Sequence, residues 1–407
     1  MAGVVLVLSL NSNLSSAVAQ EATAAKTPTS SPGRAHIDDV LKGLTRGRYL
    51  GQVAVSPDGK RLAWIQHGRD GAEIRVASID DLAKSERFTA AAKPEQHCQE
   101  EEIAWAPDAK QLAFFSDCAK PGKQTDLYVA MMDGSPARRL TELNGYVEAP
   151  AFSPDGNKVA FLYVEGATRP AGALAAMKPW SGVIGEDGVE IQRVGVALVA
   201  APKPTAPAIP TPANLHVYEF NWSPDSMSLA YVAANPPGEN NWWVAKLYTQ
   251  ELGGAATAIL APVEVSGPLH GLQIAVPRWS PDGKAIAFIG GLMSDQGATG
   301  GDVWIVSASG GQPVDLTDGR PTSPAWIEWG GNEQLFVSEI AGGNCQLVRL
   351  SLEGDKSGPG VTAAAGSPIF TVPGTLNTGI PEEAFTSGPL LSPDSCRRIN
   401  SQFPPVT

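Results

Sequence analysis

The stretch Trp279-Ser280-Pro281-Asp282-Gly283-Lys284-Ala285-Ile286-Ala287-Phe288 decides the fold. It reads as the end of one strand, a tight turn and the start of the next. Proline suits the second position of a type I turn, aspartate accepts from nearby amides, and glycine takes the positive φ that closes the hairpin. The phrase recurs at Val55-Ser56-Pro57-Asp58-Gly59-Lys60, Trp105-Ala106-Pro107-Asp108-Ala109-Lys110, Phe152-Ser153-Pro154-Asp155-Gly156 and Trp222-Ser223-Pro224-Asp225-Ser226. Each copy runs into an apolar strand, such as Leu62-Ala63-Trp64-Ile65 or Leu229-Ala230-Tyr231-Val232. Ala109 and Ser226 stand in the glycine position, where a left-handed backbone costs about 1 kcal/mol, so these two turns are expected to be looser.

The copies lie 47 to 70 residues apart, and four-stranded units at such spacing indicate propeller blades. A degenerate copy, Pro324-Ala325-Trp326-Ile327-Glu328-Trp329-Gly330-Gly331-Asn332, and a last one, Leu391-Ser392-Pro393-Asp394-Ser395, extend the series. The fold expected is an all-β propeller of four-stranded blades, with six recognisable repeats and an incomplete seventh. Later strands are also legible, at Ile74–Ala77, Asp126–Ala130, Lys246–Thr249 and Asp302–Val306. Blades two and five end in Leu140-Thr141 and Leu316-Thr317. Trp105, Trp222, Trp279, Trp326 and Trp329 are expected as core aromatics at equivalent places in the repeat.

The propeller is expected over residues 36–398, with a long insertion at 165–190, a Pro/Ala-rich excursion at 201–212 without structure of its own, and an irregular tail at 399–407. Ahead of it, residues 1–19 read as a secretory signal. An apolar run, Val4 to Leu10, precedes the small-residue pattern Ala17-Val18-Ala19, although the usual basic start is lacking. Residues 20–35 are composed like a flexible spacer, and His36 to Leu41 form a short lead-in. No later segment approaches the ~20 apolar residues of a membrane span, so an exported, periplasmic or secreted location is predicted. The net charge of −12 argues against nucleic acid as a partner. Turn-rich composition, with 43 Gly and 34 Pro in 407 residues, fits an all-β chain.

Four cysteines suit an exported protein. Cys98 and Cys118 flank the turn at 107–110 almost symmetrically, which predicts a disulfide across one hairpin. Cys345 and Cys396 have no such arrangement.

The serial W-S-P-D-G-K-x-I-A-F phrases, with D-x-W-x-V and G-G-x-P-x-x-L-T endings, resemble the propeller repeats of two groups. These are the TolB-like periplasmic proteins and the N-terminal domain of the prolyl oligopeptidase (S9) family, in its dipeptidyl-peptidase and acylaminoacyl-peptidase branches. The entry at Ile37-Asp38-Asp39-Val40-Leu41, the run Gly51 to Gly59 and the loop from Arg169 to Arg193 are similar to the peptidase branch. That resemblance implies a propeller that caps an α/β-hydrolase domain and admits small peptides. A catalytic nucleophile would sit on a Gly-x-Ser-x-Gly elbow, and no such pentapeptide occurs in these residues. The chain is therefore expected to be catalytically silent, and the loss of pattern after Ser395 predicts a truncated or frameshifted reading frame, with a naturally short relative as the alternative.

Candidate site residues come from the resemblance and from composition. Trp180, Glu186 and Glu190, with Asp187, lie in the long insertion, where an apolar wall and carboxylates suit a peptide's amino terminus. Glu100-Glu101-Glu102 and Glu382-Glu383 invite comparison with amine-binding glutamates but lie outside the expected motif context. Adjacent Trp242 and Trp243 predict an exposed contact with a hydrolase domain or an envelope protein. The turn aspartates need no ligand to explain them. The five histidines show no metal-ligand spacing, and neither a metal nor a cofactor is expected.

Overall fold

The computed structural model describes residues 49–373 apart from 69–70, 94–95, 168–189, 237–240, 295–296 and 299. The expectations for residues 1–48, for the insertion's Trp180, Glu186 and Asp187, and for Glu382, Glu383, Cys396 and the last repeat lie outside them.

Among the described residues, six antiparallel sheets of three to five strands succeed one another along the chain, and a two-stranded hairpin forms a seventh. The first contains β1 (Tyr49–Val55), β2 (Arg61–Gly68), β3 (Gly71–Ser78) and β4 (Asp81–Phe88); the second β5 (Glu100–Trp105), β6 (Gln111–Lys120), β7 (Gln124–Met131) and β8 (Arg138–Arg139). The third has β9 (Gly145–Phe152), β10 (Lys158–Glu165) and β11 (Arg193–Leu198); the fourth β12 (His216–Trp222), β13 (Ser228–Ala234), β14 (Lys246–Glu251) and β15 (Thr257–Leu260). In the fifth, β16 (Gln273–Trp279) and β17 (Ala285–Gly291) are followed by a small hairpin, β18 (Met293–Ser294) and β19 (Gly297–Ala298), before β20 (Asp302–Ser307) and β21 (Val314–Asp315). The sixth has β22 (Ser323–Gly331), β23 (Gln334–Ala341) and β24 (Asn344–Glu353), with β25 (Thr362–Ala365) and β26 (Phe370–Pro373) sharing the outer edge of β24.

Each Ser-Pro-Asp phrase forms the same hydrogen-bonded turn. In the fourth sheet Ser223 Oγ donates to Asp225 Oδ1 at 2.5 Å and accepts from the Ser228 amide at 2.8 Å, while the Met227 amide donates to Asp225 Oδ1 at 2.9 Å. Gly59, Gly156 and Gly283 have φ of 68°, 72° and 71°. Ala109 and Ser226 adopt φ of 58° and 64° and close the turn with the same bond, 2.9 Å in both. The expectation of looser turns is thus corrected: the strain is accepted. Neighbouring sheets supply a reason. Ser226 Oγ accepts the Asp155 amide at 2.9 Å, and the Ala109 carbonyl accepts from Arg61 at 3.1 Å.

The closing Leu-Thr phrases also have a physical role. Thr141 and Thr317 hydroxyls accept the amides of Leu127 and Val303, both at 2.9 Å, and Thr317 donates to Asp302 at 3.0 Å. In the third sheet no regular fourth strand forms among the described residues. The excursion after β11 takes its place: Val196 and Ala208 exchange backbone bonds of 2.7 and 2.9 Å, and Thr205 bridges to Thr141. The expectation that residues 201–212 lack structure is corrected accordingly.

Sheets are joined face to face by apolar clusters linking first to second, second to third, third to fourth, and fourth to fifth to sixth. Polar ties reinforce them on the inner strands, each of which carries a register shift near the residue that precedes the turn phrase, Val55 in the first sheet and an aromatic in the others. In three of the sheets the side chain three residues ahead of that position reaches an amide freed by the next sheet's bulge. Gln52 Oε1 accepts from Ile103 at 2.6 Å, Glu102 from Ala149, and Glu219 from Val276 at 2.8 Å. The repeat tryptophans reach back the other way: Trp105, Trp222 and Trp329 donate their indole N–H to the carbonyls of Ala54, Ala151 and Arg278 at 3.1, 3.1 and 3.0 Å. Trp279 has no indole acceptor among the described residues; its backbone amide bonds Asn221 Oδ1 at 2.9 Å. Trp326 is a core residue, but it stands three residues before the repeat position that Trp329 occupies.

Two outcomes are expected in urea denaturation. Ala109→Gly stabilises the protein by about 1 kcal/mol through relief of left-handed strain, whereas Ser226→Gly is near neutral because it also loses a hydrogen bond worth about 1 kcal/mol. Trp222→Phe costs about 1 kcal/mol more than Trp279→Phe, because only the former breaks an intersheet bond.

Candidate functional site

Antiparallel order fixes which loops share a face. The Ser-Pro-Asp turns join first to second strands at one end of the sheets, so the second-to-third connections emerge at the other. Three of these are tight: Gly68 to Gly71, Lys120 to Gln124 and Ala341 to Asn344. The other three, Glu165 to Arg193, Ala234 to Lys246 and Gly291 to Asp302, are long and belong to consecutive sheets, the third, fourth and fifth. Long loops collected on one face of a rigid repeat scaffold are where recognition concentrates.

A cleft of about 190 Å³ lies at the foot of the longest loop, lined by Tyr163, Glu165, Ile191, Arg193, Ile209 and Ala213. Strand pairing places its walls, since Tyr163 lies opposite Arg193. Arg193 Nε donates to the Thr211 carbonyl at 3.0 Å, and Val194 N to Thr211 Oγ1 at 3.1 Å. Burial pushes the Arg193 guanidinium below its ordinary pKa, with Glu165 opposing. The Tyr163 hydroxyl donates to the Asn144 carbonyl at 2.9 Å, and burial pushes its phenol up. The cleft therefore sets the exposed Glu165 carboxylate beside a guanidinium whose Nε and one terminal nitrogen are held by the Thr211 and Ile209 carbonyls and a phenol held by Asn144. The carboxylate and the remaining guanidinium nitrogen suit a ligand's charged backbone groups.

Beside this cleft in sequence lies a buried pair. The Gln192 amide donates to His216 Nδ1 at 3.2 Å, and Nε2 of His216 and Oε1 of Gln192 have no partner among the described residues. Burial pushes His216 down to about 4, so it is neutral around pH 7. Deeper along the same inner strand, burial pushes Glu219 up to about 7, against the Val276 amide and Arg278. A larger cavity, about 460 Å³, opens at the opposite end among the turns at Ala106–Asp108 and Pro154–Asn157. Its carboxylates, Asp108 and Asp155, are engaged by their own turns.

Of the residues singled out from sequence, Glu190 is half-buried and directly precedes the Ile191 that lines the cleft. Trp242 is 5% exposed and belongs to the core; the expectation that both tryptophans are exposed is corrected for it. Trp243, packed on it at 5.3 Å, is 50% exposed. Val244 and Leu292, on loops of the same face, are also exposed. Tryptophan alone carries no signal that separates Trp242 from Trp243; the cover over Trp242 comes from distant sheet-five residues in the same cluster, such as Ile274.

Cys98 and Cys118 are disulfide-bonded with Cα atoms 5.0 Å apart. They approach buried Glu100 closely enough to outline three metal-type donors, but both sulfurs are used in the bridge. Glu100 is instead a structural acceptor, taking bonds from Thr89 at 2.6 Å and the Ala90 amide at 2.7 Å, with its pKa pushed up by burial. Cys345 is a buried thiol. The turn aspartates serve their own turns; the Ser223 hydroxyl and Met227 amide hold Asp225 below the usual carboxylate range. No sequence motif marks the cleft, His216 or Glu219. Glu219 could have been found by aligning Gln52, Glu102 and Glu219, each three residues before a repeat's last first-strand residue.

No protein-family model matches the chain. Among curated proteins, a 198-residue stretch is 26% identical to Dipeptidyl-peptidase 5 of Porphyromonas gingivalis, covering 46% of this chain and 25% of that protein. A 128-residue stretch is 30% identical to a Protein TolB homolog of Chlorobium luteolum, covering 30% of this chain and 26% of that one. The chain thus spans about a quarter of the length of these relatives. Among solved structures, the acylaminoacyl peptidase of Pyrococcus horikoshii matches with TM-score 0.52 at 13% identity, over 80% of this chain and 47% of that one. The β-propeller domain of the Trilobed protease from Pyrococcus furiosus matches with TM-score 0.50 at 11% identity, over 79% and 86%. The chain is a β-propeller, and its relatives fall into two groups, S9-type peptidases and TolB. Its propeller is thus similar to those of two groups of proteins, and which of them it serves with is a matter of proposal.

Glu219 has a raised folded pKa, so its contribution to stability is complete below its ordinary 4.5 and is lost as pH rises through about 7. Glu219→Gln is expected to remove that part of the loss, so thermal midpoints of variant and native protein diverge in the variant's favour as pH rises. Replacing both Cys98 and Cys118 by serine is expected to cost about 3 kcal/mol in chemical denaturation.

Proposed function

We propose that this chain is the non-catalytic propeller of an exported, prolyl-oligopeptidase-like serine peptidase, admitting and orienting peptides for an α/β-hydrolase domain outside these 407 residues. The observation that carries the reading is the gathering of three long loops of consecutive sheets on one face, with the Tyr163–Glu165–Arg193 cleft at the foot of the longest. Glu165 and neighbouring Glu190 suit a peptide's ammonium, Arg193 its carboxylate or carbonyls, and Trp243 an apolar side chain. The Ser-His-Asp chemistry belongs to the hydrolase domain. The disulfide supports an oxidising compartment, and no helix among the described residues is long and apolar enough to cross a membrane. A TolB-like scaffold that binds a folded envelope protein is the second reading, favoured by the Chlorobium luteolum relative.

Fluorescence anisotropy with labelled short peptides separates the two. The peptidase reading expects saturable binding that Trp243→Ala and Glu165→Gln each weaken about tenfold, with no labelling of the chain by a fluorophosphonate. Failure to bind peptides, together with stable capture of a folded envelope protein, would favour the scaffold. Fluorophosphonate labelling would contradict catalytic silence.

A further inference from the structure

The Cys98–Cys118 bridge and buried Glu100 form a cluster that neither proposed function uses. Strand register brings it together. Glu100 of β5 lies opposite Ser116 of β6, and the ladder continues past them where the Asp117 amide donates to the Gln99 carbonyl at 3.2 Å. Cys98 therefore stands opposite Cys118, with Cα atoms 5.0 Å apart. Alternation along each strand puts Cys98 and Glu100 on the same side of the pair as Cys118 and Ser116. One donor atom from each of Cys98, Glu100 and Cys118 lies within 4.8 Å of the other two.

Glu100 is 0% exposed, and its carboxylate is met at one oxygen only. Oε1 accepts from the Thr89 hydroxyl and the Ala90 amide, whereas Oε2 has no hydrogen-bond partner among the described residues. The Ile74 amide and Arg87 act on the carboxylate from nearby without closing a hydrogen bond to Oε2, and Arg87 is paired with Glu73 at 3.5 Å. A buried carboxylate oxygen left without a partner costs more than an ordinary hydrogen bond returns. The sulfurs beside it are weak partners. A cation shared with them would meet it.

The backbone around both cysteines is held without the bridge. Asp117 accepts the Gln99 amide at 2.8 Å on one carboxylate oxygen and the Gly122 amide at 2.7 Å on the other. The Gln96 side chain donates to the Cys118 carbonyl at 3.2 Å. Opening the bridge therefore leaves two thiols facing each other beside the carboxylate. Cys118 is half-buried, so a reductant reaches its sulfur, while Cys98 is 4% exposed.

We infer that Cys98, Cys118 and Glu100 bind a single zinc ion once the bridge is reduced. A dithiol reductant supplies the two electrons. One of its thiolates attacks Cys118 Sγ, the Sγ–Sγ bond breaks and Cys98 leaves as a thiolate; the second thiolate then displaces Cys118 and closes the reductant's own disulfide. The reductant's two protons pass to water, and both cysteine thiolates pass to the metal. Tetrahedral zinc, about 2.3 Å from each thiolate, holds two sulfurs about 3.8 Å apart, and with the carboxylate as third ligand it keeps a fourth position for water. Thiolate donors select zinc over the hard cations calcium and magnesium. Zinc would then fasten the link between the first and second sheets as the bridge does when oxidised. The inference stands whether the propeller serves a peptidase or a scaffold.

The full chain carrying Cys345→Ser and Cys396→Ser, in which only these two thiols remain, tests it by cobalt(II) titration with and without prior reduction by a phosphine. The reduced chain is expected to take up one equivalent, with a thiolate-to-cobalt charge-transfer band that zinc abolishes, and the bridged chain none. Glu100→Gln should weaken cobalt binding by the reduced chain about tenfold or more. Thr89→Val, which loosens the carboxylate, should weaken it several-fold and keep the band. No band in the reduced chain, or equal binding by the bridged one, would overturn the inference. Affinity unchanged by Glu100→Gln would overturn it too, since the site would then be a thiol pair alone. If circular dichroism shows that the bridged Glu100→Gln chain does not fold, unchanged affinity in Thr89→Val decides against the inference in the same way.

Discussion

The hydrogen bonds that inner strands exchange with their neighbours govern the rest of this molecule. A first strand near the propeller axis has crowded neighbours, and its bulge leaves backbone groups unpaired within the sheet. An unmet amide in such a place costs more than an ordinary hydrogen bond returns. The chain meets these groups from the adjacent sheets. Gln52, Glu102 and Glu219 reach forward, and the indoles of Trp105, Trp222 and Trp329 reach back. Apolar packing alone would tolerate sliding between faces. These directional bonds fix each sheet's register against the next, which is why the tryptophan precedes the turn in the phrase.

That arrangement leaves the two ends of the sheets free for different tasks. At one end, the Ser-Pro-Asp turns are tightly self-satisfied and supply further intersheet contacts through Ala109 and Ser226. At the other, connections carry no such duty and can lengthen at little thermodynamic cost. The third, fourth and fifth sheets use that freedom together, and the polar cleft at Tyr163 and Arg193 lies at the root of the longest connection. On the proposed reading, stability and recognition are separated along the strand axis.

Local rules made most of the fold legible. The turn phrase needs only neighbouring residues to form, so its positions and the strands beside it could be read directly, and Gly59, Gly156 and Gly283 have the left-handed conformation their places require. Ala109 and Ser226 could not be read this way, because their strained turns are held partly by bonds to another sheet. The same limit applies to residues 201–212, whose prolines suggest an unstructured excursion but whose Ala208 pairs with Val196 of β11 and whose Thr205 bonds the backbone of Leu140 and Glu142 in the preceding repeat. Trp242 and Trp243 differ only in what lies over them. The candidate cleft was illegible for a related reason: Tyr163 and Arg193 meet through strand pairing across a long insertion, and no motif marks either.

The central functional claim is that recognition takes place on the face that carries the long loops. A hydrogen-exchange footprint of the protein with and without a saturating bound peptide tests it directly. The account predicts slowed exchange at the ends of β10, β11 and β13 next to those loops, with the Ser-Pro-Asp turns unaffected. Protection confined to the turns at 106–111 and 154–157 would contradict it and move the binding site to the opposite face.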